Sequence, residues 1–204
     1  STRRDEARTA LAERIADKLH RLGFEQATFS ISLTETEAGP TGSDRVEFCV
    51  TPNPGEPMLP LRQIASSGEI ARVMLAVKTV LTQADRVPVL IFDEVDANIG
   101  GRVALTVAEE LVAIGTRHQV LSITHLPQIA AAGQTHFQVS KQIQDGRTVT
   151  TMIALDPVAR EQEILRMLGA PEASEAAVGH AREMLASAPG TVALAVDGTD
   201  RMTP

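Results

Sequence analysis

The chain has 204 residues, 43% hydrophobic and 22% charged, with a formal net charge of −7. That composition is globular and rules out a wholly disordered chain or a coiled-coil rod, and no apolar run approaches the roughly 18 residues of a bilayer span. The acidic balance excludes a protein that coats nucleic acid with its whole surface, and five Phe with no Trp or Tyr argue against a base-stacking surface.

The first residues, Ser1 to Glu6, are polar and charged and do not form a signal peptide. The absence of an initiator Met leads us to expect a processed chain or a piece of a larger one. Residues 1–22 read as a helix with Leu11, Ile15, Leu19 and Leu22 on one face and Gly23 as its stop. It is either an ordinary amphipathic helix or the last turns of a longer arm. Phe29–Leu33 alternates as a strand, Ala38–Asp44 reads as a turn, and Val46, Phe48 and Val50 mark a second strand. Cys49, the single cysteine, lies in that strand as a structural residue, which fits a reducing cytoplasm. Thr51–Pro60 is proline-rich and reads as a loop.

From Ser67 to about Ala84 the pattern is helical, with Ile70, Val73, Met74, Val77 and Leu81 sharing the expected buried face. Val89–Phe92 and Val120–Ile123 are continuous apolar runs, which suit parallel strands buried on both sides. The helix predicted over Val103–Ile114 joins them as a crossover. A short helix over Leu126–Ala132 follows. Phe137–Val139 and Val149–Leu155 form a hairpin across Gln144–Arg147. Helices are predicted over Val158–Leu168 and Ser174–Ala186, and a flexible tail over 188–204.

Chemistry concentrates at four places. Val89–Phe92 ends in Asp93 and Glu94. Acids at the C-terminal edge of a parallel strand sit in the ligand crevice of such sheets. Asp93 there would hold Mg²⁺ through its water shell, and Glu94 would face an attacking water as its base. The plainer reading is that both acids open a polar loop. Ser66, Ser67, Gly68 and Glu69 form a turn before a helix. Its free N–H groups suit phosphate, although Ser66 and Glu69 also have the spacing of a capping box. Asp96 lies in the next loop, to cap the following helix or to reach across an interface. His125 ends the second apolar strand, where it could bond a γ-phosphate, or it is a simple loop residue. His20, His118, His136 and His180 have no such placement.

Taken in order, these four features resemble the second half of an ATP-binding-cassette ATPase head. By that resemblance Ser66–Glu69 is the signature motif, Val89–Glu94 is Walker B with its catalytic glutamate, Asp96 is the D-loop and His125 is the switch histidine. Phe92–Asp96 with Ile99–Gly101, Thr124–Gln128, Phe137–Lys141, Arg45–Phe48, Thr51–Gly55 and Leu165–Gly169 further resemble the RecN family, over about residues 1–187. This family is related to structural-maintenance-of-chromosomes proteins and is linked to double-strand-break repair.

The resemblance implies an α/β fold: the C-terminal lobe of a head over 23–187, with 1–22 the returning base of a coiled-coil arm. It also implies ATP and Mg²⁺ as cofactors, a second head as homodimer partner, double-stranded DNA ends, no membrane and a cytoplasmic, nucleoid-associated protein. Ser67 departs from the family's Ser-Gly-Gly-Glu, and its Cβ is expected to weaken the phosphate contact or to shift the backbone.

A P-loop requires Gly-Lys followed by Ser or Thr. The three lysines, Lys18, Lys78 and Lys141, follow Asp17, Val77 and Ser140, so the phosphate cradle is expected from another segment, the N-terminal half of the same head. Three rival readings are a non-catalytic dimerisation module, a metal hydrolase using Asp93, Glu94, Asp96 and His125 as ligands, and a membrane-transporter ATPase.

Overall fold

The computed structural model describes residues 2–40, 42–53, 55–144, 146–170 and 174–188. The chain forms two compact units, residues 1–130 and 131–204. The expected tail falls outside the described residues except for Ala188.

Unit 1 opens with helix α1 (Thr2–Arg21), which buries Ile15 and Leu19. Gly23, at φ 94°, stops the helix, and the Phe24 N–H reaches back to Leu19 O at 3.1 Å. That is the left-handed closure glycine permits without a Cβ penalty. Strands β1 (Thr28–Gly39) and β2 (Gly42–Thr51) pair antiparallel. They run through most of the segment expected as a turn, with an irregularity between Glu35 and Gly39. The proline-rich loop ends in the short strand β3 (Leu59–Pro60), which pairs with Cys49 and Val50.

Helix α2 (Ser67–Leu81) is followed by β4 (Val89–Phe92), α3 (Gly101–Gly115) and β5 (Gln119–Ser122). β4 and β5 are parallel, with Phe92 opposite Ser122. The crossover read from the sequence is therefore present, and the C-terminal ends of both strands lie at one sheet edge.

Two expectations fail here, for one reason. The strands are not buried on both sides. Leu90 and Phe92 are buried, while Val89, Ile91, Leu121 and Ile123 are exposed, Ile91 at 69%. Helix α2 likewise buries Arg72, Val73, Leu75, Ala76 and Val77, leaving Met74 exposed and Ile70 partly so. Apolar pattern records where a side chain prefers to be, and this chain alone supplies a layer on only one side of the two-stranded sheet. His20 and His118 do have structural roles: their rings donate to Ala27 O at 2.9 Å and Val87 O at 2.6 Å.

Helix α4 (Pro127–Ala132) runs into unit 2, which contains the hairpin β6 (Phe137–Gln144) and β7 (Arg147–Ala154) and helices α5 (Pro157–Met167) and α6 (Glu175–Ser187). Asp156 and Ser174 cap α5 and α6 by accepting from Ala159 N and Ala177 N. Buried Glu163 accepts from Arg166 and from Gln138. The Arg166 bonds foremost hold its carboxyl below the ordinary range, against the opposing effect of burial.

Candidate functional site

The site grows from the turn that starts α2. Ser66 has extended backbone, and its Oγ accepts from Glu69 N at 3.4 Å, so the capping role read from the sequence is filled. Ser67 is exposed at the first helical position and is not among the left-handed residues. The close approach belongs to Gly68. A Cβ there would stand 2.7 Å from Ala97 Cβ and 3.2 Å from Glu94 O. Only glycine lets the start of α2 lie against the loop that follows β4.

That loop carries the acids. Asp93 and Glu94 are exposed, Val95 and Asp96 are buried, and Glu94 and Asn98 have φ of 57° and 59°. Neither the Asp93 nor the Glu94 carboxylate has a hydrogen-bond or ion-pair partner among the described residues. Both carboxylates line a groove of about 480 Å³ between α2 and β4, together with Ser67, Ile70, Met74 and Lys78. An exposed carboxylate with no protein partner fits Mg²⁺, which takes few protein carboxylates and keeps much of its water. Among the described residues no three His, Cys, Asp or Glu side chains converge on a cation position. Among the described residues, therefore, Asp93, Glu94, Asp96 and His125 are not gathered as the several ligands that the rival hydrolase needs.

Asp96 takes neither expected orientation. The N-cap of α3 is Gly100 and receives no side-chain bond. The Asp96 residue is 2% exposed. One carboxylate oxygen accepts from Thr124 Oγ1 at 2.6 Å and His125 N at 2.9 Å, and lies 3.1 Å from His125 Nδ1. The backbone N–H of His125 is thus held by the carboxylate, and the ring stands beside it. The His125 side chain is 69% exposed. The loop after β4 and the end of β5 are thus joined by a buried carboxylate that holds the backbone of an exposed histidine.

Three contacts went unread in the sequence: the close approach of Gly68, the Thr124 hydroxyl, and Arg72. Arg72 is buried on α2 and donates to Ala97 O at 2.8 Å, with Val95 O at 3.5 Å. Burial lowers its pKa. A charged residue beside the run Val73–Val77 was the available signal.

The site residues Ser66–Glu69, Asp93, Glu94, Asp96 and His125 all fall in unit 1. No family model matches the chain. The DNA repair protein RecN of Xylella fastidiosa is 43% identical over 188 residues, covering 91% of this chain and 34% of that protein. The RecN of Deinococcus radiodurans is 46% identical over 187 residues, covering 89% and 33%. That of Bacillus subtilis is 37% identical over 201 residues, covering 89% and 35%.

This chain belongs to the RecN family. It spans about one third of the length of the RecN proteins it matches. Among solved structures, the Smc head domain with a coiled coil and joint from Pyrococcus yayanosii aligns with TM-score 0.57 and 21% identity, covering 78% of this chain and 29% of that one. The Smc head of Pyrococcus furiosus bound to the C-terminal domain of ScpA aligns with TM-score 0.54 and 21% identity, covering 79% and 38%. The chain therefore has the fold of part of an Smc head domain, α/β with a parallel sheet, as its sequence led us to expect.

Proposed function

We propose that the chain is the C-terminal half of an Smc-like ATPase head that hydrolyses Mg-ATP between two heads, in a protein acting in DNA double-strand-break repair and recombination. Residues 1–22 are the base of a coiled-coil arm, and 23–187 are the half-head. The observation that carries the reading is the sheet edge itself. Two carboxylates without a side-chain partner among the described residues, Asp93 and Glu94, leave one parallel strand, and an exposed histidine whose backbone is held by buried Asp96 leaves its neighbour.

Mg²⁺, when bound with ATP, supplies charge neutralisation at the phosphates. Asp93 holds it through water. Glu94 accepts the proton of the attacking water. His125 offers its exposed ring to the terminal phosphate, while Asp96 holds the backbone beneath it. Ser66, Ser67 and Gly68 present the N-terminus of α2 to the nucleotide of the opposite head, with Glu69 completing the signature turn.

The partner in cis is the N-terminal half of the same head, bringing the P-loop. The free edge of β4 and the apolar side chains of Val89, Ile91, Leu121 and Ile123 support it: they need a covering layer this chain does not supply. The partner in trans is a second head, and DNA ends are the substrate on which the arms act. This assigns the protein to the nucleoid, in the cytoplasm.

Substituting Ser66→Arg in the full-length protein tests the reading. A bulky cation at that turn blocks head closure but leaves Asp93 and the P-loop of its own head untouched. Single-head ATP affinity should stay within about twofold of wild type while ATP-induced dimerisation is lost. A drop in single-head affinity as large as that from loss of the P-loop lysine contradicts the assignment.

A further inference from the structure

The loop after β4 is strained at both ends. Glu94 and Asn98 are left-handed, at φ 57° and 59°, and neither is glycine. Such conformations persist only where the surroundings over-determine them. Here the surroundings are α2. Gly68 lies against Glu94 O and Ala97 O, and one helical turn later Arg72 donates to Ala97 O at 2.8 Å with Val95 O at 3.5 Å.

The Arg72 guanidinium is buried and lies 5.3 Å from the centre of the Phe24 ring. It has no carboxylate partner among the described residues, and its Nε has no acceptor. Glu69, one turn earlier on α2, favours the charged form but makes no ion pair with it; burying the cation is still costly, and a neutral amide could satisfy one carbonyl with less desolvation. Both donations leave one nitrogen, Nη1, so a single corner of the planar guanidinium gathers two carbonyls of one loop.

We infer that Arg72 is a positioning residue. It locks the loop Glu94–Asn98 to α2, so that the turn Ser66–Gly68 and the Glu94 carboxylate move as one body. The consequence rests on the proposed function. Ser66–Gly68 meets the nucleotide of the partner head, whereas Glu94 acts on the nucleotide of its own. The lock therefore joins the two composite sites of a head pair, and engagement at one sets the base at the other.

The test uses the full-length protein as wild type, Arg72→Lys and Arg72→Gln. Hydrolysis is followed against ATP concentration, with thermal melting to check folding. Wild type should be cooperative. Arg72→Gln should be non-cooperative, with kcat lower by roughly tenfold and KM within about twofold. Arg72→Lys keeps the charge and reaches one carbonyl, so it should recover part of the cooperativity. Non-cooperative wild-type hydrolysis, or unchanged cooperativity in a folded Arg72→Gln protein, overturns the inference.

If wild type hydrolyses no ATP, the proposed function fails instead, and hydrogen exchange then reads the lock directly. Amides 94–98 should exchange faster in Arg72→Gln than in wild type while the rest of α2 is unchanged, and equal exchange refutes the lock. Should Arg72→Gln fail to fold, the same two readouts in Arg72→Lys decide: a partial loss of cooperativity and loop protection supports the lock, and wild-type values overturn it.

Discussion

Around Asp93 and Glu94, polar side chains are inside the protein: Asp96 and Arg72 are 2% and 7% exposed. In the hairpin β6–β7 apolar side chains are outside: every residue of β7 is exposed, and Ile143 in β6 is 81% exposed. Buried polar groups are costly unless satisfied, so each fixes a geometry. Asp96 fixes Thr124 and the backbone of His125, and Arg72 fixes the loop that begins at Glu94. The hairpin has register, from Phe137 opposite Ala154 to Gln144 opposite Arg147, and Gln138 is tied to Glu163 at 2.6 Å, but the exposed apolar side chains of β6 and β7 fix no such geometry. A region that must hold reacting groups is fastened from within, and a region fastened from within should respond to single substitutions far more than one that is not.

The largest response should come from Glu94. In the full-length protein, Glu94→Gln keeps the shape and removes the base, so turnover should fall by at least about 100-fold while ATP still binds and heads stay paired longer. Steady-state hydrolysis with a parallel dimerisation assay measures both. Normal turnover would remove Glu94 from its role.

Next in size is Gly68→Ala. The added Cβ would meet Ala97 Cβ at 2.7 Å. Overpacking of this kind costs about 1–3 kcal/mol. Ser67→Gly, at an exposed position one residue earlier, should change stability by less than about 1 kcal/mol. Urea unfolding of the three proteins gives the difference, and equal stabilities would mean that the loop simply moves away from α2.

The smallest response should come from Ile143→Thr. Its side chain is almost free in this chain, and threonine keeps the strand preference, so stability should change by no more than about 0.5 kcal/mol. A large loss would show that the hairpin is packed in a way its exposure does not reveal.

The same contrast explains what could be read from the sequence. Elements were legible wherever periodicity was strong: the helical recurrence of Leu11, Ile15 and Leu19, the alternation Phe29–Leu33, and the apolar runs ending in Asp93 and at His125. The acids and the histidine were legible because polar residues ending an apolar strand stand out. The inward turn of Asp96 was not, since a loop of a few residues has no period. Arg72 was not, because a charge on a helix reads as solvated until its neighbours are known. The bare faces of β4 and β5 were misread because an apolar run records a need for cover, without recording which chain provides it.

The central claim is that this chain carries half of a composite nucleotide site. Calorimetric titration of residues 1–204 with Mg-ATP, alone and after joining to the N-terminal half of the head, tests it most directly. The account predicts no measurable binding by the chain alone and Mg²⁺-dependent binding once the N-terminal half is present. Tight binding of Mg-ATP by residues 1–204 alone would contradict it.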